Sequence, residues 1–279
     1  MSLDLDARQR AMLQEMQVEV WWPRADAPGV QAETGPAPVA AAAVAAPAPV
    51  LQRPVTAPLN PAAPAVANPG TPATAVDGMD WPELAATIAL CSACKLCVGR
   101  KAPVFAAEPD TRQADWLIVG EPPDELEERA GAPFAGPAGQ LLDNMLRAVQ
   151  VARDGSGSSG ARVTNVVKCR TTPVRNPQAD ELATCAAYLR REITLVRPKV
   201  ILAMGRFAAL SLLADSSPEL ASLPFGKLRG QVHHSHGVPV VVTYHPSRLL
   251  RAQEDKAGAW ADLCLAQNAV RTGLAQGPA

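Results

Sequence analysis

"KVILAMGRFAALSLL", Lys199–Leu213, decides how the rest of the chain is read. Its first half is continuously apolar, Gly205 interrupts it, and Arg206–Leu213 follows with a helical pattern. A strand that is apolar at every position is covered on both faces, as in a parallel sheet. Three further runs share this character: "WLIVG" (116–120), "RVTNVVKC" (162–169) and "VPVVVTYH" (238–245). Helical patterns occupy Ala138–Val151, Ala179–Val196 and Lys256–Val270. Alternation of strand and helix predicts an α/β fold, a three-layer α/β/α sandwich around a central, mainly parallel four-stranded sheet. Such sheets bind ligands at the carboxyl ends of their strands. Gly120-Glu121, Asn165 to Cys169, Gly205 and His245 all fall there.

The expected folded domain spans residues 81–275. Before it, residues 26–80 are Ala/Pro/Val/Thr low complexity ("PAPVAAAAVAAPAPV"). Dense proline and a lack of large side chains predict a disordered, semi-extended linker. Residues 1–25 form a short peptide in which Met12, Leu13 and Met16 share a helical face, ending in "VEVWWPR". Two tryptophans on a tethered chain end predict a docking segment.

No apolar run approaches the length of a membrane span, so a soluble protein without membrane contact is expected. The start "MSLDLDARQR" has acids where a secretory signal has a basic region and an apolar core, which predicts a cytoplasmic protein. The net charge is −1, but it is unevenly distributed. Residues 1–80 hold eight acids against four Lys/Arg, whereas residues 161–206 hold nine Lys/Arg against three acids. Residues 227–251 add four Lys/Arg, no acid and the "HHSH" stretch. Positive charge in the C-terminal half is the asymmetry that steers a polyanion.

Six cysteines in a reducing compartment point to ligands or core residues rather than disulfides. Cys91 and Cys94 form C-x2-C, and fifteen residues separate Cys169 from Cys185. Together they could close one four-thiolate site. Spacing does not choose between zinc and an iron–sulfur cluster, and zinc is the first expectation. Cys97 and Cys264 remain as small apolar residues.

"CSACKLC", "ADWLIVGEPP", "GAPFAGPAGQLLDNML", "VTNVVKCR", "RPKVILAMGRFAALSLL" and "TYHPSRLLR" occur in this order. Over about residues 84–270 the chain thereby resembles the family 4, iron–sulfur uracil-DNA glycosylases. The resemblance implies a monofunctional hydrolase of the N-glycosyl bond of uracil in DNA, working as a monomer in base excision repair. It implies a [4Fe–4S] cluster on Cys91, Cys94, Cys169 and Cys185, in place of zinc. Phe134 matches the aromatic that stacks on the flipped base. Asn165 matches the residue that reads the uracil edge, where an amide can donate to O4 and accept from N3–H.

His245 matches a donor to uracil O2, where negative charge collects as the bond breaks. Proline at 246 ends the strand there. Ser247, Arg248, Leu249 and Arg251 match a loop that enters the minor groove. Leu249 or Arg248 would fill the gap left by the base, and Ser247 or Arg251 would hold phosphates. Glu121 and Glu127 match acids that orient the attacking water.

The first loop departs from the family pattern. "GEPPDELEE" (Gly120–Glu128) has Pro122 for alanine and Asp124 for glycine. Asp124 is expected near the 5-edge of the base. An alternative follows, a catalytically weakened DNA-binding member of the same fold, recruited by its N-terminal peptide. That peptide resembles the clamp-loader-binding tail of the psi subunit of bacterial DNA polymerase III, which implies a replisome tether.

Overall fold

The computed structural model describes residues 76–105, 113–153, 155, 157–171, 175–214, 216–221 and 223–273. The expected docking peptide and nearly all of the expected linker lie outside them. The linker boundary moves: Val76 is 1% exposed and packs in the core, and Arg191 Nε donates to Met79 O. The fold therefore begins at least five residues before position 81.

The described elements run in order α1 (Trp81–Leu90), a 3-10 turn (Lys95–Gly99), β1 (Ala114–Gly120), α2 (Glu125–Ala130) and α3 (Gly136–Ala148). Then come β2 (Gly157–Asn165), α4 (Ala179–Val196), β3 (Val200–Met204), α5 (Arg206–Leu213), α6 (Pro218–Ala221) and α7 (Phe225–Leu228). The chain continues with β4 (Val232–Ser235), β5 (Val238–Thr243), α8 (Pro246–Leu249), a second 3-10 turn (Gln253–Asp255) and α9 (Lys256–Thr272). The sheet has five strands, not four, in the order β2-β1-β3-β5-β4. Its inner pairings are parallel and β4 runs antiparallel to β5 at one edge. The apolar-run argument missed β4 because "VHHS" reads as a basic patch. Its burial alternates, with His233 inside and His234 outside, and His233 Nε2 bonds Leu228 O at 2.8 Å.

Each apolar strand serves two cores, as a parallel sheet requires. Leu117, Val119, Ile201 and Ala203 face one layer with α1, α4 and α5. Trp116, Ile118, Leu202 and Met204 face the other with α3 and α9. β2 stops at Asn165, four residues short of the expected strand. Val166 N still reaches Gly120 O, and the chain then bends so that Lys168 is buried. Register sets Gly120 opposite Asn165, and Gly205 N donates to Thr243 O. The carboxyl ends of β1, β2, β3 and β5 thus open onto one edge. No helix of the described residues is long and apolar enough to cross a membrane.

Candidate active site

Five side chains from this edge interlock. Asn165 is fully buried at the end of β2. Its Nδ2 donates to Glu121 O at 2.8 Å and to Glu127 Oε1 at 3.2 Å. A carbonyl and a carboxylate on one side fix the amide orientation, because both demand a donor. Oδ1 therefore points the other way, and it has no hydrogen-bond partner among the described residues. A buried acceptor without a partner costs about 1–3 kcal/mol, so it is a mark of a ligand site.

Glu127 is spoken for. Oε1 also accepts Phe134 N at 2.5 Å, and Oε2 accepts Asp124 N at 2.9 Å. Asp124 in turn caps α2 by accepting Glu127 N at 2.9 Å, a reciprocal capping box. Both Glu127 oxygens are therefore engaged, by Phe134 N and Asn165 on one side and Asp124 N on the other. Asp124 caps α2, and its charge also reaches His245.

Glu121 is the acid that lines an open cleft, together with Gly205, Tyr244, His245 and Arg251. Oε1 accepts Phe207 N at 2.9 Å at the start of α5, so a helix N-terminus faces the carboxylate. Burial still wins, and it pushes the Glu121 carboxyl up to about 7.

His245 ends the strand run and caps α8. Its Nδ1 lies 2.8 Å from Ser247 Oγ and accepts Ser247 N at 3.3 Å. A backbone N–H can only donate, so the neutral ring carries its proton on Nε2. Burial pushes the imidazole down to about 4, so it is neutral at physiological pH and offers Nε2–H as a donor.

Phe134 lies beside it, with ring centroids 5.2 Å apart and planes 22° from parallel. Phe134 is only 2% exposed, and the imidazole covers the face of its ring. Phe134 has φ +54°, a region costly for a bulky residue by about 1–3 kcal/mol. Gly120 is required beneath the ring, since a Cβ there would sit 2.7 Å from Cζ.

The loop after His245 sorts its residues differently from expectation. Leu249 is fully buried in the core, so it cannot fill a gap in DNA. Leu250 is 45% exposed and is the leucine available for contact. Arg248 is exposed but pairs with Asp255 at 2.7 Å and lies over the Tyr244 ring. Ser247, Arg248 and Arg251 all line the cleft.

The four expected ligand cysteines come together in the fold. Cys91, Cys94, Cys169 and Cys185 line one cavity with Arg100, and none is in a disulfide. Cys97 does not line it. Arg100 Nη1 donates to Cys169 Sγ at 3.1 Å and Nη2 to Cys91 O at 2.7 Å. Arg100 follows Cys91 by nine residues in sequence, and the fold brings it to Cys169, sixty-nine residues on. Burial raises the Cys94 and Cys169 thiols and pushes Cys185 up to about 12. Thiolates are stable in such surroundings only beside compensating positive charge. Among the described residues, no three His, Cys, Asp or Glu side chains are placed to hold a single metal ion.

A sequence profile of the uracil DNA glycosylase superfamily matches residues 107–265. A type-4 uracil-DNA glycosylase of Thermotoga maritima is 36% identical over 168 residues, 60% of this chain and 81% of that protein. One from Saccharolobus solfataricus is 33% identical over 179 residues, 63% of this chain and 78% of that protein. One from Pyrobaculum aerophilum is 35% identical over 177 residues, 62% of this chain and 86% of that protein.

Proposed function

The chain belongs to the uracil DNA glycosylase superfamily, and from that premise we propose that it hydrolyses the N-glycosyl bond of uracil in DNA, leaving an abasic site for base excision repair. The observation that carries this is the buried, partnerless Asn165 Oδ1, on an amide tied through Glu127 to Phe134, which stacks on a neutral His245.

Each group has a defined task. A flipped uracil enters against Phe134 as the imidazole moves aside to the base edge. Asn165 Oδ1 accepts uracil N3–H. Cytosine has a lone pair at N3, so the same atom repels it. Both amide hydrogens are held by Glu121 O and Glu127, so Asn165 does not also donate to O4. His245 Nε2–H donates to O2, where charge develops as the bond breaks. Glu121, as carboxylate, orients the water that attacks the sugar. Ser247 and Arg251 hold phosphates, and Leu250 takes the gap-filling task first expected of Leu249.

The weakened-binder alternative rested on the altered first loop. Asp124 builds that loop into a capped helix and leaves Glu121 at the cleft, which supports an active enzyme. Cys91, Cys94, Cys169 and Cys185 would hold a [4Fe–4S] cluster. A single zinc needs thiolates about 3.8 Å apart, given Zn–S near 2.3 Å, whereas four thiols spread around an apolar cavity suit a larger group. When bound, the cluster supplies a covalent fastening between α1, α4 and the chain leaving β2.

We further propose that the protein acts as a monomer in the cytoplasm and that residues 1–25 dock on a clamp loader. A pull-down with this peptide that recovered no clamp-loader protein would remove the docking claim. The test of the main reading is base release from duplexes carrying one uracil, cytosine or thymine. Uracil release that falls at least a hundredfold with Asn165→Ala is expected. Equal release of cytosine by the wild type would overturn the role of Asn165.

A further inference from the structure

Phe134 is held in a left-handed backbone conformation, φ +54°, that its own side chain opposes. Such a conformation persists only when its surroundings over-determine it. On one side Glu127 takes the Phe134 N–H. On the other side Arg153, nineteen residues away in the turn after α3, donates from Nη1 to Phe134 O at 3.3 Å. Nη2 of the same guanidinium donates to Gly139 O at 3.4 Å. The fork is itself fixed by Asp143 on α3, which takes Nε at 2.5 Å and Nη2 at 2.6 Å. The Phe134 carbonyl is also pressed onto α3, where a Cβ at Gly139 would lie 1.8 Å from that oxygen.

We infer that Arg153, oriented by Asp143, is a positioning residue that holds Phe134 in the conformation needed to receive the base. This rests on the proposed role of Phe134 as the stacking aromatic. Arg153 does not line the cleft of Glu121 and His245. A planar fork is needed, because one group must bond a carboxylate twice and reach two carbonyls as well. Lysine has the charge but cannot span both partners.

A double-mutant cycle tests this with kcat and KM measured on a uracil-containing oligonucleotide. Arg153→Met and Arg153→Lys should each lower kcat/KM between ten- and a hundredfold in the natural background. In a Phe134→Ala background the same changes should cost less than twofold, because the group they position is gone. Equal losses in both backgrounds, or no loss in the first, would overturn the inference and leave the stacking role intact. Unchanged activity of Phe134→Ala would remove the stacking role and the inference with it. A crystal structure of Arg153→Met reads the same claim without catalysis. Phe134 should leave the positive-φ region, and retention near +54° would contradict the inference.

Discussion

Glu121 and His245 face the same cleft and are shifted in opposite directions by the same cause, burial. For the acid this holds the proton on, and for the imidazole it keeps the proton off. Glu121 keeps its proton to about pH 7 in the fold, against 4.5 for an ordinary glutamate. Between those values the folded state binds more protons than the unfolded one, so stability falls as pH rises through that window. Activity should run the other way. If the carboxylate orients water, kcat/KM rises as pH passes about 7 and levels off above it. Glu121→Gln should flatten both profiles, with lower activity throughout. A kcat/KM profile with no inflection between pH 6 and 8 in the natural protein would remove Glu121 from water orientation. His245 adds no inflection in that range, since it loses its proton near pH 4.

At the scale of the element, the three inner strands and α3, α4, α5 and α9 were legible because apolar content and period agreed. α4 and α5 have the bounds the sequence predicted. The ten-residue α1 was not read as a helix, and β4 and α8 were missed as short elements whose faces are set by neighbours. β4 is four residues with two histidines, and only its partner β5 turns His233 inward. In "SRLLR" nothing local says which leucine faces the core. The four-residue helix α8 turns Leu249 in and leaves Leu250 out. The two should separate cleanly in experiment. Leu249→Ala should lower the unfolding free energy by about 2–5 kcal/mol. Leu250→Ala should change it by less than about 0.5 kcal/mol while weakening turnover on duplex DNA. Chemical denaturation of both variants checks this, and comparable stability losses would mean α8 is rotated from the arrangement described. The capping box of α2 was written in the sequence as D-x-x-E, yet the site resemblance drew Asp124 and Glu127 toward the base instead. Asp124→Ala should cost about 0.5–2 kcal/mol of stability, the usual loss of a cap.

For the whole molecule, two features lie close together at the end of β2. Asn165 holds the buried, partnerless Oδ1 there, and Cys169, four residues on, lines the cysteine cavity. Arg100 ties Cys169 to the turn carrying Cys91. For the proposed cluster, Arg100→Met should lose iron faster under a chelator than the natural protein, followed by visible absorbance and iron content. Equal loss rates would mean that the arginine contributes nothing to holding the site. The basic half of the sequence likewise becomes partly structural. Lys168 is buried against Glu192 and Arg229 against Asp262, so fewer charges than the sequence suggests face DNA. The central claim remains that a neutral His245 at the carboxyl edge of this sheet drives release of uracil. Its most direct test is single-turnover uracil release from a labelled oligonucleotide, natural protein beside His245→Ala, with iron content matched. The account predicts release by the natural protein and a loss of roughly 10²–10³-fold in the variant. No release by the iron-loaded natural protein, or equal rates for both, would contradict it.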